Sequence, residues 1–166
     1  MKYLVLNDYL VDWNKGFSTI SSDAQQPLSK YYEIYYRSQN GKLSPTLLYY
    51  PEYYKTMSVR LYCFDGKQYT PSETAVISWE NKTGTDGKPY KEITGLKTTK
   101  NYAAATAFLN SQEGVNWRIV GKDPNVSPVP LEALDQYNPA YSSSQKSKLG
   151  TAEIPEVKIF EYSGVK

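Results

Sequence analysis

This chain of 166 residues contains no histidine and a single cysteine, Cys63. Without histidine, Ser-His-Asp and Cys-His catalysis are excluded, and so is imidazole ligation of a metal. One cysteine excludes an intramolecular disulfide, and within SVRLYCFDG it reads as a small buried hydrophobe rather than a nucleophile. Carboxylates remain as metal ligands, and none falls into a binding-loop pattern. No apolar run reaches 18 residues, and no signal peptide with the usual charged and apolar regions is present, so the reading is of a soluble chain. Charge of one sign is also missing. With 19 basic and 17 acidic side chains the net charge is +2, and the pI is near 8.4. That argues against a nucleic-acid binder, which would carry a basic patch and a higher pI, and leaves electrostatic anchoring to a membrane without support.

What the chain has in excess is tyrosine, 17 residues, with pairs at Tyr31-Tyr32, Tyr35-Tyr36, Tyr49-Tyr50 and Tyr53-Tyr54. An apolar ring with a polar tip suits half-buried positions and sugar or peptide contacts. Adjacent residues point to different sides of a helix or a strand, so the pairs equally describe a boundary between core and solvent.

Periodicity gives a coarse α+β plan for one compact domain, residues 1–166, helix-rich over 1–64 and strand-rich over 65–166. A strand over 2–7 leads into a helix N-capped by Asn7 or Asp8, which Gly16 weakens. A polar loop follows to Pro27. Residues 28–37, LSKYYEIYYR, read as a helix and 38–41 as a turn. Pro51 opens a helix running to about Tyr62. Residues 74–79 and 90–98 form a hairpin with a long loop, and Asn101 caps an alanine-rich helix ended by Gly114. A strand over 115–120 closes at Gly121. Residues 124–130 are an extended connection, and a short helix begins at Pro130. Residues 142–150 are expected to be polar and mobile, adding nothing to a core. Val157 to Tyr162 alternates as a final half-buried strand.

The first helix carries the most pointed pattern. Seven residues make nearly two helical turns, so Asp8 and Lys15 share a face, with Ile20 further along. Asp12, three residues before Lys15, rivals Asp8 as the lysine's partner. An N-cap, a solvated lysine and a core isoleucine would satisfy the same residues.

The segments KYLVLNDYLVDWNKGFSTI, LYYPEYYKTMSVRLYCFDG, NWRIVG, SPVPLEAL and PEVKIFEYSGVK, in that order, resemble the C-terminal globular domain of archaeal oligosaccharyltransferases, the AglB family, and especially its short paralogues. The resemblance spans nearly the whole chain. Such enzymes join a lipid-linked glycan to the asparagine of Asn-X-Ser/Thr at the extracytoplasmic face of the membrane. The family's helix-borne Asp…Lys…Ile/Met motif matches Asp8, Lys15 and Ile20, with looser spacing around the lysine at Asn14 and Gly16. The resemblance implies that these residues help recognise the acceptor Ser/Thr, Ile20 contacting the threonine methyl. It also implies that no catalytic or metal-binding residue lies in this chain, and that the divalent metal, Mn or Mg, belongs to a transmembrane half that is its missing partner. Acceptor sequon and lipid-linked oligosaccharide are the partners of the whole enzyme, and the chain itself is expected to be a monomer. The family's Trp-Trp-Asp-Tyr-Gly motif is absent, since Trp13, Trp79 and Trp117 stand apart. The expectation is therefore a piece beginning after that motif, inactive alone. A stand-alone carbohydrate- or peptide-binding module of a cell-surface protein is the alternative. Asn81-Lys82-Thr83 and Asn125-Val126-Ser127 are themselves sequons in expected loops. Asn81 is the candidate glycosylation site, because Pro128 disfavours the second.

Overall fold

A computed structural model describes residues 2–7, 28–112, 116–143, 147–149, 152–154 and 156–164. The fold is α+β. The described residues fall into two compact units, one within Pro27–Tyr54 and Thr70–Pro130, the other comprising the remainder.

The first unit is a five-stranded sheet. Its strands are β2 (Tyr32–Gln39), β3 (Lys42–Tyr49), β4 (Thr74–Thr83), β5 (Pro89–Thr99) and β6 (Trp117–Val120), in the order β3-β2-β5-β4-β6. β1 is the strand Tyr3–Asn7 of the other unit. The expected helix over 28–37 is not formed: only Leu28–Lys30 makes a 3-10 turn, and the rest is β2. The cause lies in the turn that follows. Asn40 and Gly41 take φ of 52° and 73°, a two-residue loop whose left-handed backbone matches the twist of paired strands. It brings Gln39 opposite Lys42 and zips the hairpin back to Tyr32 opposite Tyr49. Tyrosine and isoleucine suit such a pleated surface, and Pro45 is tolerated because β3 lies at the sheet edge. The helix-rich character expected for residues 1–64 is therefore not supported.

β4 and β5 form the expected hairpin, longer than read from sequence and bulged between Ser78 and Trp79. Val76 and Ile77 are both buried, as are Ile119 and Val120. Neighbouring residues face opposite ways in a strand, so the sheet is covered on both sides there. One side packs Val76 and Ile119 against Ala105 of a helix here labelled α3, Tyr102–Asn110. Asn101 caps that helix by accepting a hydrogen bond from the Ala104 amide at 2.8 Å, as its sequence predicts. The other side clusters Tyr35, Leu48, Tyr50, Ile77 and Val120.

The expected helix from Pro51 forms in two pieces, α1 (Pro51–Tyr54) and α2 (Met57–Phe64). Thr56 between them is extended. α1 belongs to the first unit and buries Tyr53 and Tyr54. The Tyr54 hydroxyl donates to the Asp123 carbonyl at 2.8 Å.

In the second unit, β7 (Tyr137–Ser142), β8 (Ser147–Leu149), β9 (Ala152–Ile154) and β10 (Val157–Tyr162) join β1. β10 lies between β1 and β7, antiparallel to both, and β8 pairs with β9. Leu61 of α2 packs with Leu6 and Phe160, flanked by Leu4, Tyr62, Leu134 and Tyr137. Lys158 closes the end of α2, donating to the Tyr62 carbonyl and to Asp65 Oδ1, each at 2.8 Å. A cation there meets the negative end of the helix dipole. Cys63 is half-buried rather than buried. No helix starts at Pro130, because Leu131 spends its amide and carbonyl on a bridge to Tyr69. Within 142–150, expected to lack structure, Ser147–Leu149 is a strand. No helix among the described residues is long and apolar enough to cross a membrane.

Gly121, expected only to end a strand, has a tighter role. It bridges Tyr49, and a Cβ added to it would lie 2.3 Å from the Tyr54 hydroxyl and 2.8 Å from its ring carbon. Gly121→Ala should displace the ring and destabilise the protein by about 1–3 kcal/mol. A thermal melt indistinguishable from that of the parent would show that this contact does not hold.

Candidate functional site

Asp8, Lys15, Ile20 and the rival Asp12 lie outside the described residues. The chain enters their segment directly from the end of β1 at Asn7. Asn81 is not in a loop: it sits in β4 opposite Lys91 and is exposed. Asn125 lies in a turn, where its amide N–H donates to Asp123 Oδ1 at 2.8 Å. The serine of that second sequon is sealed, since the buried Ser127 hydroxyl donates to the Val129 carbonyl at 2.7 Å.

The most elaborated polar arrangement among the described residues is built on β2, β5 and the residue after β3. Alternation along β2 sets Glu33 and Tyr35 on one face of the sheet. Tyr50, just past β3, directs its hydroxyl to the same place. Glu33 Oε2 accepts from the Lys91 ammonium at 2.6 Å, from the Tyr35 hydroxyl at 3.3 Å and from the Tyr50 hydroxyl. The two tyrosine hydroxyls are also bonded to each other. Arg118 stacks on the Tyr50 ring, its guanidinium carbon 3.3 Å from the centroid, with Glu52 Oε2 3.7 Å from the same guanidinium. Trp79 meets Tyr35 edge-on at 5.6 Å.

The charges follow from these contacts. Burial works against ionisation of Glu33, but hydrogen bonds from Lys91 and Tyr50 outweigh it and hold its carboxyl below the usual range. Burial pushes the Tyr35 hydroxyl up to about 12. Burial also raises Tyr50, reinforced by its bond to Glu33. At neutral pH the network is thus one carboxylate, one ammonium and two neutral phenols. A carboxylate with three donors on one oxygen is a weak proton acceptor, so the arrangement suits positioning rather than acid–base chemistry.

Beside it opens a cleft of about 420 Å³ whose lining includes Glu33, Ile34, Tyr36, Asn81, Tyr90 and Lys91. Tyr36 and Tyr90 meet edge-to-face at 5.4 Å, and Ile34 is 55% exposed. Aromatic rings beside an amide and an ion pair can receive a flat polar ligand. Sequence reasoning noticed the tyrosine pairs, but Glu33 and Lys91 are brought together only by the parallel pairing of β2 with β5. Among the described residues no group of three or more acidic or cysteine side chains could hold a metal ion. No family model matches the chain, and no curated protein or solved structure matches it.

Glu33→Gln should lower stability by about 1–3 kcal/mol at neutral pH, since buried donors lose a charged acceptor. A carboxyl whose pKa is lowered by folding stabilises above its unfolded value of 4.5, and that stabilisation is lost as pH falls through the folded value. The gap between parent and variant should therefore close on acidification below pH 4.5. Denaturant titrations across pH check this, and a gap independent of pH would contradict the charged network.

Proposed function

We propose that this chain is the C-terminal globular domain of an archaeal oligosaccharyltransferase and helps recognise the Ser/Thr of the Asn-X-Ser/Thr acceptor in protein N-glycosylation. Its partner is a membrane-embedded half that carries the divalent metal and meets the lipid-linked glycan at the extracytoplasmic face. The observation that carries this reading is the ordered series of resembling segments. The fold brings four of the five together. Leu4 and Leu6 from the first, Leu61 and Tyr62 from the second, Leu134 from the fourth and Phe160 from the last share a single hydrophobic cluster. Four of the five segments, far apart in sequence, thus meet in one cluster of the unit that contains β1, while NWRIVG packs in the five-stranded unit.

The chemistry asked of the motif is recognition. Asp8 and Lys15 act as polar orienting groups, for each other or for the family's Trp-Trp-Asp-Tyr-Gly motif. Ile20 offers an apolar surface for the threonine methyl, which is worth roughly 1 kcal/mol and so produces a preference for Thr over Ser. The metal and the activation of the asparagine amide are supplied by the other half, so the chain alone transfers nothing. A second reading, a carbohydrate- or peptide-binding module, draws on the cleft at Tyr36 and Tyr90. It requires the isolated chain to bind a ligand without any membrane half.

Steady-state kinetics of the membrane-bound enzyme with Ser and Thr sequon peptides test the first reading. Ile20→Ala should reduce kcat/KM for Thr acceptors several-fold more than for Ser acceptors, as loss of one methyl contact requires. Lys15→Ala should reduce both alike. Equal losses for the two acceptors with Ile20→Ala, together with a lower melting temperature, would return Ile20 to a packing role and remove the motif from acceptor recognition.

A further inference from the structure

A second cavity, on the Tyr35 face of the five-stranded sheet, has a different character from the cleft at Tyr36. It measures about 210 Å³. Leu48, Ile77 and Val120, all buried, provide its apolar surface. Two cations border it, Arg37 from β2 and Lys122 just beyond β6, and no acidic residue lines it. Arg37 Nε is buried and has no hydrogen-bond partner. Neither cation has an ion-pair partner among the described residues.

We propose that this cavity binds a small organic carboxylate, its two oxygens on Arg37 and Lys122 and its carbon chain on Leu48, Ile77 and Val120. A buried guanidinium N–H without an acceptor is costly, and a bound anion removes that cost. The planar fork of arginine fits the two oxygens of a carboxylate, while Lys122 contributes a point charge at the exposed rim. The size sets the class. The cavity is smaller than the roughly 300–1,000 Å³ of pockets for drug-sized ligands. At about 30 Å³ per water it has room for roughly seven water-sized groups. Inorganic phosphate would leave the apolar floor uncovered, and an alcohol of the same length would offer Arg37 a single neutral acceptor and leave both cations without a counter-charge. The site is independent of the acceptor-recognition reading, because none of its residues belongs to the Asp8, Lys15 and Ile20 segment.

Methyl NMR of the full chain, titrated at constant ionic strength with sodium hexanoate, hexan-1-ol and inorganic phosphate, tests this. Hexanoate should shift the Leu48, Ile77 and Val120 methyls saturably, and the other two probes should not. Arg37→Gln should weaken hexanoate by roughly tenfold or more. Lys122→Gln, at an exposed position that does not threaten folding, should weaken it several-fold and carries the test if Arg37→Gln does not fold. The assignment is overturned if hexanoate gives no saturable shift at these methyls. It is equally overturned if hexan-1-ol or phosphate binds there as well as hexanoate does, or if Lys122→Gln leaves hexanoate affinity unchanged.

Discussion

A buried phenol must find a partner for its hydroxyl, and the five-stranded unit buries Tyr31, Tyr35, Tyr49, Tyr50, Tyr53 and Tyr54. An unpartnered buried hydroxyl costs on the order of 1–3 kcal/mol, so a tyrosine core holds together only where acceptors are built in. Glu33 is the acceptor for Tyr35 and Tyr50. It is itself admissible because Lys91 neutralises it at 2.6 Å. Tyr54 takes the Asp123 carbonyl instead, which is why Gly121, beneath its ring, tolerates no Cβ. The rings then contribute apolar area and edge-to-face contacts, with Tyr53 and Tyr54 perpendicular and centred 5.3 Å apart. Core, polar network and the adjoining cleft are consequences of one requirement.

Much of this was legible from local pattern, and the failures have a common cause. β1, β4, β5, β6 and β10 announce themselves by β-branched or alternating residues, and α3 by Asn101 and its alanines. Residues 28–37 misled because paired tyrosines satisfy a helical period about as well as an alternating one. The Asn40-Gly41 turn was visible, and its demand for a strand on each side outranks that periodicity. At Leu131 the deciding partner was Tyr69, 62 residues away, and no local signal reveals such a bridge. The same limit applies to the sites. Glu33 and Lys91 are separated by 58 residues, and Arg37 and Lys122 come from opposite halves of the sheet's sequence. Their meeting depends on strand order.

The second unit has a simpler physics. α2 lies on the three-stranded sheet through Leu61, and Lys158 ties the helix end to the central strand β10. β1 is held along its whole length by β10, from Tyr3 opposite Glu161 to Asn7 opposite Val157. Asn7, the last residue of β1, is thereby fixed by its pairing with Val157.

The central claim is that the segment following β1 meets the acceptor's hydroxyl residue. Photo-crosslinking reads this directly. A sequon peptide carrying a diazirine on the side chain at the Ser/Thr position is irradiated with the membrane-bound enzyme, and the attachment point is mapped by mass spectrometry. The account expects attachment within residues 15–20, abolished by competing unlabelled Thr peptide. Competable attachment at the cleft of Tyr36 and Tyr90, with none in residues 15–20, would contradict it.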